Sequence, residues 1–170
     1  VCTREARQDS WWFSFSRQLP RKRARYFGVA HFTLSFRPDD GIVVELIVRS
    51  RSRDFRKVKK RIKSNPSSFI KIIRRLEKSP YEFQISASER YHVAPYQTRA
   101  SASYTLDSPY MQKDQIEQLS NLLVSSKRSV WLLIECMFHL NSEEIASPEL
   151  AHHLVLAASK LKPIYNYAVK

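Results

Sequence analysis

A chain of 170 residues with 43% hydrophobic content and twenty aromatics can bury a real core, which excludes a disordered protein. Two glycines, Gly28 and Gly41, are too few for a Gly-rich phosphate loop, and no Cys–His spacing suits zinc, so neither metal nor cofactor is expected. The formal net charge of +13 is uneven: residues 1–100 hold 23 Lys and Arg against 9 Asp and Glu, residues 101–170 hold 6 against 7.

In chain order, Ser10-Trp11-Trp12-Phe13-Ser14-Phe15-Ser16 reads as a helix or irregular aromatic arm packed on the core, followed by an exposed linker, Arg21-Lys22-Arg23-Ala24-Arg25. Tyr26 to Arg37 alternates as a strand does, with Ala30, Phe32, Leu34 and Phe36 on one face and Val29, His31, Thr33 and Ser35 on the other. Pro38-Asp39-Asp40-Gly41 is turn chemistry, since proline fixes φ and glycine accepts positive φ. Ile42 to Val48 is a second strand, so residues 26–49 are expected to form a hairpin.

Phe55, Val58 and Ile62 then fall on one stripe of a helix whose remaining positions from Arg56 to Lys63 are all basic. Asn65-Pro66 opens another helix, with asparagine at the N-cap and proline in the first turn, and Ser79-Pro80 ends it. Tyr81–Ser86, Glu89–Tyr96 and Ala100–Leu106 read as strands or extended loop, and Met111–Ser125 as a helix. Val130 to Phe138 reads as a buried central strand, and Ser147-Pro148 introduces a last helix that Pro163 kinks or ends. The resulting order, αββααβββαβα, predicts a single basic α+β domain over 1–170. Its sheet is antiparallel or mixed, with helices packed on one side.

The apolar run Val130–Leu140 is broken by Glu135 and His139 and is too short to span a bilayer, so no membrane partner is expected. The opening residues scatter charges among aromatics and form no signal peptide, which points to a cytoplasmic protein. Cys2 and Cys136 stand alone in sequence, and Cys136, inside an apolar run, is expected to be a buried thiol.

Between Arg49 and Lys63, nine of fifteen residues are Lys or Arg and one is acidic. Like charges this close repel, and a polyanion relieves them, whereas the competing reading is a solvated helix face. The added Arg21–Arg25 run and Lys71, Arg74 and Arg75 favour nucleic acid, DNA or RNA, as the partner. Its phosphates would meet Arg21, Lys22, Arg23, Arg25, Arg56, Lys57, Lys59, Lys60, Arg61, Lys63, Arg74 and Arg75. Tyr91, Tyr96, Tyr104 and Tyr110 could stack bases, although ordinary sheet and loop positions explain them better.

His31-Phe32-Thr33-Leu34 resembles the His-x-Thr-hydrophobic strand motif of the two-histidine phosphoesterases. There, paired imidazoles take and give protons at a phosphodiester and threonines hold the phosphate. A second such motif is missing: His139-Leu140-Asn141 and His92-Val93-Ala94 lack the threonine. Asp39, Asp40 and Glu45 suggest a nuclease metal site, but position 47 is isoleucine where a lysine is needed, and turn chemistry accounts for the two aspartates. His152 and His153 are adjacent on a helix and point about 100° apart, which does not suit one metal. Expectation therefore leans away from an enzyme, with a phosphoesterase using His31 and Thr33 as the alternative. The third class is a protein-interaction or scaffold domain whose aromatic arm, Trp11, Trp12, Phe13 and Phe15, meets a partner groove.

Phe27 to Leu76 also resembles an uncharacterised bacterial family, the domain of unknown function 2461. That family runs strand, Pro-Asp-Gly turn, strand, charged helix and an Asp/Asn-Pro-x-x-Phe helix. The matching residues are Pro38-Asp39-Asp40-Gly41 and Asn65-Pro66-Ser67-Ser68-Phe69, with Leu161-Lys162-Pro163-Ile164-Tyr165-Asn166-Tyr167 similar to the family's ending. Its Lys-x-Pro-Tyr-Lys segment before the first strand has no counterpart here. The resemblance implies an α+β fold around an antiparallel sheet and brings no activity with it.

Overall fold

The computed structural model describes residues 2–7, 10–16, 29–37, 40–50, 52–94, 97–108, 110–125 and 130–170, with backbone only for 2–7, 10–12, 14, 16, 88–94 and 97–103. The basic linker holding Arg21, Lys22, Arg23 and Arg25 lies outside the described residues.

Seven strands form one sheet. In chain order they are β1 (Cys2–Arg7), β2 (Ser10–Ser16), β3 (His31–Arg37), β4 (Gly41–Val48), β5 (Gln84–Ala94), β6 (Gln97–Asp107) and β7 (Val130–His139). Their spatial order is β1-β2-β3-β4-β7-β5-β6, and every pairing is antiparallel. The helices are α1 (Arg53–Ser64), α2 (Pro66–Ile73) continued by a 3-10 turn (Arg74–Lys78), α3 (Lys113–Ser125), α4 (Glu143–Ala146) and α5 (Leu150–Val169). The architecture is the expected α+β one, with the helices on one side of the sheet.

Period-two alternation decides which side. Ile42, Val44, Leu46 and Val48 of β4 join Leu132, Ile134, Cys136 and Phe138 of β7 and Ile85 and Ala87 of β5 in one buried cluster. The inner stripes of the helices complete it through Phe55, Val58, Ile62, Phe69, Ile73, Leu119, Leu123, Leu161 and Ile164. Cys136 is a buried free thiol, and burial pushes its pKa up to about 12, so it remains protonated and inert.

Local chemistry fixes the joints. The Ser52 hydroxyl accepts from Phe55 N–H at 2.9 Å and starts α1, while the buried Asp54 accepts from Ala30 N–H at 2.8 Å and ties that start to β3. Asn65 ends α1 and caps α2 by accepting from Ser68 N–H at 3.1 Å, with Pro66 in the first turn as the sequence predicts. Gly41 has φ +132°, and a Cβ there would lie 2.0 Å from the Phe138 carbonyl oxygen, so the β3–β4 hairpin needs glycine at that point.

Two expectations are corrected. Residues 10–16 are a strand rather than a helix or irregular arm: β2 sits between β1 and β3, with Trp11 opposite Phe36 and Phe15 opposite Phe32. Seven residues with two indoles and two phenyl rings satisfy strand pairing better than helix propensity. The three short strands expected over 81–106 are two long ones, β5 and β6, joined across residues 95–96. At Pro163, where a kink or an end is expected, the helix does not end, and α5 runs on to Val169. Proline in a helix interior costs about 3 kcal/mol; buried Leu161 and Ala157 before it and Ile164 and Ala168 after it hold both sides against the core.

Candidate functional site

The basic residues of α1 divide into two sets. Arg53, Arg56, Lys60 and Lys63 recur at helical spacing along one exposed stripe, about 15 Å long at 1.5 Å per residue, although Lys60 and Arg56 are the most central of the four. None of these four forms an ion pair among the described residues. The second set turns towards the end of α5. Lys57 Nζ donates to the carbonyl oxygens of Val169 at 2.6 Å and Lys170 at 3.4 Å, and Arg61 donates to the carbonyl of Tyr167 while its guanidinium lies over that ring. Lys59 extends over the Phe55 ring at 5.8 Å.

The stripe continues onto α2 and its 3-10 turn. Lys71, Arg75 and Lys78 are exposed, and Arg74 holds Glu77 at 3.1 Å. Beside them lies a cavity of about 590 Å³ lined by Lys71, Arg74, Arg75, Glu77, Lys78 and, from α3, Lys113. A second cavity of about 330 Å³ shares Ser67, Ile70 and Lys113 with the first and adds Lys63, Glu117 and Val124. Lys113 holds Glu117 at 3.6 Å. The two cavities form one groove between α2 and α3 in which cations outnumber acids.

No protein-family model matches the chain, and no curated protein matches it. The motifs that resemble the domain of unknown function 2461 sit at structural joints: Gly41 at the hairpin and Asn65 and Pro66 at the α2 cap. They concern the fold rather than any chemistry.

His31 lies on the sheet face opposite the helices and is 1% exposed, with Nδ1 3.1 Å from the Val29 carbonyl oxygen. Burial lowers its pKa to about 4, so the ring is neutral at pH 7. Thr33 is buried beside it, two residues along the same strand. Register keeps His139 away: His31 pairs with Ile47 and His139 with Gly41, six residues along β4 and roughly 20 Å apart. Among the described side chains, no second imidazole joins His31. The His153 Nδ1 is instead 3.0 Å from the Tyr81 hydroxyl, and His152 is exposed.

Glu45 is buried and faces Glu135 across the β4–β7 pair, and Arg37 donates to both, at 2.9 Å and 3.1 Å. Asp39 lies outside the described residues, Asp40 is exposed in the turn, and no group of three or more His, Cys, Asp or Glu among the described residues could hold a metal. Tyr104 bonds Gln118 of α3 at 2.8 Å in an ordinary packing role, while Tyr110 is exposed. The side chain of Tyr91 and all of Tyr96 lie outside the described residues, as do the side chains of Trp11 and Trp12. Phe13 packs edge-on against Phe36, and Phe15 is exposed.

Sequence reasoning misses Lys113. It is a lone cation in the nearly neutral part of the chain, and only the packing of α3 against α2 brings it to the basic wall.

Proposed function

We propose that this chain binds nucleic acid through phosphate contacts made by α1, α2 and the 3-10 turn. The observation that carries the reading is the exposed stripe of Arg56, Lys60 and Lys63, extended by Lys71 and Arg75, with no ion pair to any of them among the described residues. Such a stripe repels itself in the free protein and is relieved by a row of phosphates, whose released counterions supply the affinity. Lys57 and Arg61 contribute indirectly by fixing α1 against α5, and Arg74 contributes less than its neighbours because Glu77 already holds it. Contacts of this kind fix the position of the backbone and carry no sequence information.

Fluorescence anisotropy with a labelled oligonucleotide across a salt series tests the reading. Four engaged phosphates give a slope of about −3.6 for log K against log salt on duplex DNA, or about −2.8 on a single strand. The double variant Lys60→Glu, Lys63→Glu should weaken binding at least about tenfold at low salt. Absence of binding to both DNA and RNA at low salt refutes the proposal.

A further inference from the structure

We infer that the groove between α2 and α3 accepts one nucleic-acid strand and discriminates against duplex; the inference rests on the nucleic-acid reading above. Two features of the groove carry it. Its floor is aliphatic, formed by Ile62, Pro66, Ile70 and Val124. Its α2 rim is basic, with Lys71 and Arg75, while Lys113 on the α3 rim is paired with Glu117.

A duplex hides its base faces in its own stack and offers a protein its charged backbone and the edges in its grooves, so an apolar floor gives it nothing. A single strand differs. Its unstacked bases have apolar faces that gain from burial, and its phosphates can meet the cations of the α2 rim. The exposed Arg75 guanidinium adds a plane on which a base can stack. The two acids in the lining, Glu77 and Glu117, are held by Arg74 and Lys113, which leaves Lys71, Arg75 and Lys78 as unpaired positive charge among the described residues.

The test uses the full chain and two labelled probes, a twelve-nucleotide oligothymidylate and a mixed-sequence duplex of twelve base pairs. The strand should bind about tenfold or more tightly than the duplex at equal low salt. Ser67→Trp fills the groove from an exposed position of α2 without changing charge. It should cost about tenfold in affinity for the strand and leave the duplex unchanged. Lys113→Glu, on the facing helix, serves as a second variant should the indole disturb α2, and it should weaken the strand more than the duplex.

Equal affinity for the two probes, or strand binding that survives both variants, overturns the groove inference and leaves the nucleic-acid reading intact. Binding of neither probe removes both. Binding of polyglutamate with no binding of either oligonucleotide assigns the groove to an acidic peptide and likewise overturns both.

Discussion

Lys57 Nζ lies 2.6 Å from the carbonyl oxygen of Val169, which joins the middle of α1 to the last turn of α5. This single contact divides the basic helix into cations that hold the fold and cations that face outward. Two neighbouring lysines should therefore fail in different ways. Lys57→Met should lower stability by about 1–2 kcal/mol through the lost charge-assisted bonds and leave oligonucleotide affinity within about threefold. Lys60→Met should do the opposite. Urea unfolding and anisotropy on the same preparations separate the two effects.

Arg37 bridges two carboxylates that the β4–β7 register places face to face. Burial works against its charge, but Glu45 and Glu135 outweigh that and raise its pKa. Arg37→Met should cost about 2–3 kcal/mol, because two partly buried like charges then confront each other. Adding Glu45→Gln should restore much of the loss. Failure of that rescue in denaturant unfolding places the cost in packing instead.

His31 makes stability depend on acid. Its folded pKa of about 4 lies below the ordinary value of 6.5, so between these values the unfolded chain binds the proton that the folded chain refuses. Stability from this group is complete above about pH 6.5 and falls as pH drops towards 4, by about 3 kcal/mol in all. His31→Leu should flatten that part of the curve relative to the parent protein, measured by urea midpoints between pH 4 and 7. An unchanged slope contradicts the buried neutral ring.

Gly41 is the point where the first hairpin admits no side chain. Gly41→Ala should destabilise by about 2 kcal/mol or more, since both the positive φ and the contact with the Phe138 carbonyl oppose a Cβ. Thermal unfolding by circular dichroism measures it, and a melting temperature within a degree of the parent would contradict the geometry.

Elements with a strong local signal were legible from the chain alone. Asn65-Pro66 marks the start of α2, the stripe of Phe55, Val58 and Ile62 marks the inner face of α1, and the alternation in β3 gives the right faces. The first strands were not legible, because Ser10–Ser16 interrupts its aromatics with serines and only pairing with β1 and β3 makes it a strand. At Pro163 local chemistry allows a kink or an end, and tertiary burial on both sides carries the helix on.

By itself the sequence determined the charge excess, its concentration in residues 1–100 and the apolar periods that build the core. These follow from composition and from spacings of a few residues, where neighbours along the chain are also neighbours in space. Tertiary structure alone decided that Lys57 and Arg61 serve α5, that Glu45 meets Glu135 beneath Arg37, and that Lys113 joins Lys71 and Arg75 around one groove. Those partners lie tens of residues apart in sequence, and no local period records which helix will lie beside which.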